Sequence, residues 1–290
     1  MVAEEAREYL DKAYDIVRAA EHWHERIDDG WLDASTTSEY AALLLVQGSR
    51  NGVLCDAAAV LDPPPEALGA HRTLGEYLEA RQGWAVSAVS ALRAGRPVDA
   101  DQLEEAHSAS SNLFQEAVAA MQGVAQRTDV EYGPRDVSYP AVNERARSTL
   151  EAPPGWILAR LDSQTVLVGP PELQGDGLPG LGADGSGHGT SLSVRRVRNR
   201  PDWSLEEALE QSRPQIPQFG ELRSEREVRV DGHDGFEWRI VDPGAGWETR
   251  VAVVVAGDYT FFLEFGCPSV MGEECRGLMN ELLSGVQLHV

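Results

Sequence analysis

From Ala3 onward, apolar or amphipathic side chains recur in alternating steps of three and four: Ala3, Ala6, Leu10, Ala13, Val17, Ala20, His24 and Ile27. Tyr9, Ile16 and Trp23 widen the same stripe. That period sets them on one broad face of a helix turned toward a core. Asp28-Asp29-Gly30 is expected to end it. A second helix carries Tyr40, Leu43, Leu44, Leu54, Ala58 and Leu61 and breaks at Pro63-Pro64-Pro65. A third starts where Pro65 suits the first turn and Glu66 the positive end of the dipole, with the stripe Leu68, His71, Gly75, Leu78, Gln82, Ala85, Val89 and Leu92. A fourth shows Leu103, Ala106, Ser110, Leu113, Ala117, Ala120 and Val124, flanked by Phe114 and Met121. Short connections between four such helices predict an up-down four-helix bundle over residues 1–128. Gln47, Asn51 and Gln82 interrupt the stripes with polar groups. They either line a pocket between helices or hydrogen-bond each other and fix the register.

The helical pattern dissolves over 129–145, where Gly133-Pro134 and Tyr139-Pro140 predict a linker. A period of two follows. Strands are expected at 156–158, 165–168, 190–197, 225–230, 235–241, 247–256, 259–265 and 286–290, with turns at Asp231-Gly232 and Gly257-Asp258. A helix capped by Ser204 runs to Arg213, and another spans Gly272–Leu283. Residues 169–189 are so rich in Gly and Pro that a mobile loop is expected. Strands gathered between two helices predict a second domain, over 146–290, of the α+β class.

Certain phrases of this second half carry a resemblance. Ala152-Pro153-Pro154-Gly155-Trp156 opens it, Ser204-Leu205-Glu206-Glu207-Ala208 starts its helix, and Val230-Asp231-Gly232-His233-Asp234-Gly235-Phe236-Glu237-Trp238 follows. Gly257-Asp258-Tyr259-Thr260-Phe261-Phe262 and Ser284-Gly285-Val286 complete the order. Residues 146–290 thereby resemble the Mog/PsbP-like family, whose members include an extrinsic photosystem II subunit, a Ran-binding import factor and bacterial envelope proteins. The resemblance implies an α/β/α sandwich on an antiparallel sheet and a role in binding or assembly. It brings no shared active site, and the Gly-rich 169–189 stretch departs from the compact pattern.

Charge narrows the partners. The 290 residues hold 47 acids and 25 bases, a net charge of -22, the wrong sign for neutralising nucleic-acid phosphates or anionic lipid. Lys12 is the one lysine, and it sits in no Gly-rich loop, which excludes a Walker-A nucleotide site. No apolar run approaches a membrane span. The compartment is left open: the chain as written shows no secretory leader and reads as cytoplasmic, and a trimmed leader would make it extracytoplasmic.

Candidate chemistry is sparse. Gly175–Gly180 spells GxGxxG, but Pro179 denies the helix that a dinucleotide site needs. His188 sits in a Gly-His-Gly-Thr-Ser phrase without the partners of a catalytic triad. Cys267 and Cys275 flank a turn and can pair locally, or stand as separate thiols. Glu21 with His24, and Glu104 with His107, repeat Glu-x-x-His on helices, the spacing used by carboxylate-bridged dimetal bundles. Cys55, His71 and Met121 fall toward the other end and offer a softer donor set for a metal or haem. Arg195, Arg196, Arg198 and Arg200 form a basic island that suits an acidic partner. The reading that follows is a non-enzymatic binding or assembly protein of a bacterial type, with no cofactor, acting through protein contacts. The alternative is a bundle that binds a divalent metal or haem, with the PsbP-like domain as an accessory.

Overall fold

The computed structural model describes residues 2–33, 37–94, 100–134, 138–161, 164–170, 173, 190–199, 203–218, 220–244 and 246–290. The chain divides into two compact units, Met1–Arg135 and Asp136–Val290. In the first, helices α1 (Val2–Asp33), α2 (Thr37–Ala59), α3 (Leu68–Arg93) and α4 (Ala100–Thr128) pack α1 on α2, α2 on α3, α3 on α4 and α4 on α1. The α1 stripe is buried from Ala6 to Trp23, as its period requires. Asp28-Asp29-Gly30 does not end α1, which continues to Asp33. A lone glycine costs a helix only about 1 kcal/mol, and Trp31 continues the apolar spacing from Ile27.

The α3 stripe is displaced from the expected one. Ala70, Leu74, Tyr77, Leu78, Arg81, Ala85 and Ala88 are buried, whereas Leu68 is 56% exposed. Tyr77 explains the rotation: its ring packs 5.2 Å from that of Phe114 on α4, which turns that face inward and carries Arg81 with it. Gln82 instead flanks α2, where a Cβ on Gly52 would meet its Nε2 at 3.3 Å.

The second unit holds two antiparallel sheets. The smaller has the order β1-β2-β10, from Tyr139–Asn143, Ser148–Ala152 and Gln287–Leu288. The expected linker thus contains β1, an edge strand in which Pro140 lacks an N–H but need not donate one inward. The larger sheet has the order β3-β4-β5-β9-β8-β7-β6. Its strands are β3 (Ile157–Leu161), β4 (Gln164–Val168), β5 (Ser191–Arg198), β6 (Glu221–Val230), β7 (His233–Asp242), β8 (Trp247–Ala256) and β9 (Tyr259–Pro268). Asp231 and Gly232 both take positive φ, 48° and 80°, in the tight β6–β7 turn. The Gly-rich expectations over 169–189, the GxGxxG letters and His188 included, fall outside the described residues apart from 169, 170 and 173.

Alternation along the strands sends two different cores to the two faces. On one, Trp238, Ile240 and Val253 pack with Ala208 of α5 (Leu205–Ser212) and Ile216. Ser204 starts α5 with a capping box, its Oγ accepting from the Glu207 backbone while the Glu207 carboxylate accepts from the Ser204 N–H. Hydrogen bonds to that carboxylate hold Glu207 below its ordinary pKa. The other face is covered by α6 (Gly272–Ser284), which a Cys267–Cys275 disulfide ties to the end of β9. Helix, sheet and helix therefore stack as three layers of an α+β fold.

Under α6 the sheet buries a ladder of charges. The Arg250 guanidinium, 2% exposed, donates from Nη1 to Glu237 Oε1 at 3.0 Å and from Nε to Glu248 Oε1 at 2.9 Å. Arg226 grips Glu237 through two bonds, at 3.0 and 2.7 Å, and donates at 3.0 Å to Asn280 of α6. Arg239 closes the other end on Glu248 Oε2 at 2.7 Å. Burial alone would raise the Glu248 carboxyl, but the hydrogen bonds and charges of Arg239 and Arg250 outweigh it and hold its pKa below the usual range.

A carboxylate with a lowered folded-state pKa stabilises fully above its unfolded pKa, and that contribution is lost as the pH falls through the folded value. Glu248→Gln is therefore expected to cost about 2–4 kcal/mol at pH 7. The gap from wild type should narrow as the pH drops below about 4.3, the ordinary glutamate value. Urea unfolding followed by circular dichroism between pH 7 and pH 3 measures this; a gap independent of pH contradicts it.

Candidate docking surface

The arginines of β5 lie where the sheet thins. β4 pairs with β5 only as far as Arg195, whereas β9 continues to the Arg198↔Tyr259 pair. Strand alternation then separates residues that are neighbours in sequence. Arg195 lies opposite Phe262 and stacks over its ring at 5.1 Å, on the α5 face. Arg196 belongs to the opposite face and lies 4.4 Å over the ring of Tyr259, diagonal to it across the ladder. Arg198, directly paired with Tyr259, shares that face. The basic run is thus two surfaces, and beyond Arg195 its strand is paired on the β9 side only. Arg200 lies outside the described residues.

A fourth cation arrives from elsewhere in the chain. Arg147, at φ 49° in the turn joining β1 to β2, brings its guanidinium within 5.2 Å of the same Tyr259 ring. Its Nη1 lies 3.4 Å from the Tyr259 hydroxyl and its Nη2 donates to the Val290 carbonyl at 2.9 Å. Its own backbone carbonyl accepts from the His289 N–H at 2.8 Å, and Thr149 Oγ1 meets His289 Nε2 at 2.8 Å. At the end of β5, the Asn199 N–H donates to the Asp258 carbonyl and its side-chain oxygen accepts from Thr260. Four segments, 147–149, 196–199, 258–260 and 289–290, are thereby tied together at one tyrosine.

The electrostatics suit capture of a carboxylate. Among the described residues, Arg147, Arg195, Arg196 and Arg198 form no ion pair, whereas Arg213, Arg223 and Arg229 each hold a nearby acid. A guanidinium lying on an aromatic ring gains about 0.5–1 kcal/mol at an exposed site. Stacking occupies the flat face and leaves the edge of N–H donors to recognise a carboxylate; on Arg147 that edge already donates to Tyr259 and Val290, which makes Arg196 the more available of the two on the Tyr259 ring. Composition alone could have flagged the β5 arginines. Arg147 and Tyr259 carry no local signal, because strand pairing and a turn at distant points of the sequence bring them together.

The metal candidates fare differently. Glu21 is exposed, while the side chains of His24, Glu104 and His107 lie outside the described residues. Met121 is buried, and His71 is half-buried with its ring 5.9 Å from that of Tyr9 and its pKa lowered by burial. Burial, with Glu79 and Asp56, pushes the Cys55 thiol up to about 11, so it is protonated at neutral pH. Among the described residues no group of three or more His, Cys, Asp or Glu side chains is placed to hold a metal ion. No described helix is long and apolar enough to cross a membrane.

Gly257 holds the surface together. At φ 54° it takes a conformation that favours glycine, and an added Cβ would collide with Val290. Gly257→Ala is expected to lower stability by about 1–3 kcal/mol and to loosen Val290 from Arg147. Thermal unfolding together with amide exchange at His289 measures both; an unchanged melting temperature contradicts the packing described.

No protein-family model matches the chain, and no curated protein is similar to it. Among solved structures, it is similar to cyanobacterial PsbP from Synechocystis sp. PCC 6803 at 11% identity, over 53% of this chain and 94% of that one, with a TM-score of 0.38. It is also similar to the Ran-binding protein Mog1p of Saccharomyces cerevisiae, at 15% identity over 53% and 96%, TM-score 0.36. A third is PA94 of Pseudomonas aeruginosa, a protein of unknown function, at 11% identity over 51% and 94%, TM-score 0.33.

Proposed function

We propose that the chain is a non-enzymatic binding or assembly protein whose Asp136–Val290 unit, a sandwich of the PsbP-like kind, docks an acidic segment of a protein partner. In this reading the four helices of Met1–Arg135 form an up-down bundle, and the contact surface is Arg147, Arg196 and Arg198 around Tyr259. The observation that carries it is the pair of guanidiniums on one tyrosine ring, without a carboxylate partner among the described residues, in a chain of net charge -22. An acidic protein repels acidic partners in general, so a local cluster of unpaired arginines selects where such a partner can approach. Arg195, on the other face, is outside the surface.

The test separates the two faces. The full chain is used to retain proteins from an extract of its own host at low and at raised salt. Wild type is expected to retain a discrete acidic protein that raised salt releases. Arg196→Glu with Arg198→Glu should weaken retention about tenfold or more, and Arg195→Glu should leave it unchanged. Equal retention by wild type and the double variant, both folded by circular dichroism, contradicts the reading.

A further inference from the structure

Backbone hydrogen bonds fix which way each residue at the end of β5 turns its N–H and C=O. The Asn199 N–H donates to the carbonyl of Asp258, the residue directly opposite it on the β9 side. In an antiparallel ladder every second residue bonds to the same neighbour, so Val197 and Arg195 also turn their backbone groups toward β9. Arg196 and Arg198, one residue out of step, turn theirs toward the β4 side. The bond from the Gly169 N–H to the Thr190 carbonyl, the next pair along the β4–β5 ladder, gives the same parity from the other direction. On that side β4 begins at Gln164, opposite Arg195. Among the described residues, no strand therefore meets the backbone of Arg196 and Arg198. Exposure changes at the same point: Leu192 and Val194 are buried, whereas Val197 is 37% exposed and Arg198 is exposed.

Side chains and backbone thus make one composite edge. Arg196 and Arg198 stand about 7 Å apart along the strand, on the Tyr259 face. At the same two positions their N–H and C=O groups point outward in the plane of the sheet. Val197, between them, presents its side chain to the other face. An antiparallel strand bonded to Arg196 and Arg198 would set the side chains of its bonded residues on the face of the two guanidiniums. The residue between would fall beside Val197. Acid, apolar, acid is the pattern that fits. Cations on an open edge deter other strands from adding to it. Carboxylates directly opposite them turn that barrier into attraction. The net charge of -22 repels any longer acidic chain, which restricts the contact to a short segment.

We infer that the acidic partner binds by strand addition: an extended segment with acidic side chains at alternate positions pairs with the open edge at Arg196–Arg198. The inference rests on the docking surface proposed above and specifies the form in which the partner presents its acids.

The experiment is fluorescence anisotropy of labelled hexapeptides titrated with the full chain at low salt. One peptide alternates, Glu-Val-Glu-Val-Glu-Val, and another has the same composition in blocks, Glu-Glu-Glu-Val-Val-Val. Two further versions of the alternating peptide carry backbone N-methyl groups, on the glutamate amides or on the valine amides. The alternating peptide is expected to bind with a Kd below about 0.5 mM and the block peptide about fivefold more weakly or worse. Methyl groups on the glutamate amides, which face β5 in this pairing, should weaken binding about tenfold, and those on the valine amides less than about twofold. Arg196→Glu with Arg198→Glu should abolish binding of the alternating peptide, and Arg195→Glu should leave it unchanged. Equal binding of all four peptides, lost in the double variant, overturns strand addition and leaves the docking surface standing. Binding of none overturns strand addition as well, and the docking surface is then decided by retention from the host extract.

Discussion

Three charges buried beneath α6, Glu237, Arg250 and Glu248, and the partly exposed Arg226 and Arg239 that close their ladder, are the constraint on which the register of the sandwich depends. Arg250 is held by Glu237 and Glu248, and each glutamate is held in turn by a further arginine, so no carboxylate oxygen faces the interior alone. Such a ladder contributes little net stability against a well-packed apolar alternative, but breaking one member strands the others. Its consequence is register. A slip of one residue between β7 and β8 would leave Glu237 and Arg250 on opposite faces, one of them among the apolar residues that α5 packs on, Trp238 and Val253. Fixing β8 fixes β9 through their shared turn at Gly257, and thereby places Tyr259 beside the end of β5.

From there the two ends of the unit work differently. The α6 end is closed twice, by the Arg226–Asn280 hydrogen bond and by the disulfide to β9. The Tyr259 end is gathered from four segments and held by hydrogen bonds and ring stacking, with Arg196 and Arg198 in no ion pair among the described residues. A stiff sheet presenting loosely tethered cations at one end is an arrangement suited to reading a charged partner. Buried charges at one end and free charges at the other follow from the same strand alternation.

Much of the architecture was legible because periodicity is a property of neighbouring residues. The stripe from Ala6 to Trp23, the Ser204 cap and the Asp231-Gly232 turn could be read directly from local spacing. The failures share a cause. Gly30 looked like a stop because its local cost is visible, yet that cost is small enough for α1 to run through it to Asp33. The α3 face was misjudged because Arg81 is a polar residue at a core position, and only the Tyr77–Phe114 contact reveals the rotation. Strand β1 was hidden by Pro140. The arginine run read as one patch because a sequence shows proximity along the chain, whereas pleating divides Arg195 from Arg196, and pairing adds Arg147 from a turn far away.

The account turns on the Tyr259 end being the surface that meets a partner, and amide hydrogen exchange of the full chain with and without the captured acidic protein tests that most directly. Slowed exchange is predicted at residues 146–149, 196–199 and 257–261, the backbone around Arg147, Arg196 and Tyr259. Protection confined to the exposed edge strand β6 or to the helical unit, with those three segments unchanged, would contradict it.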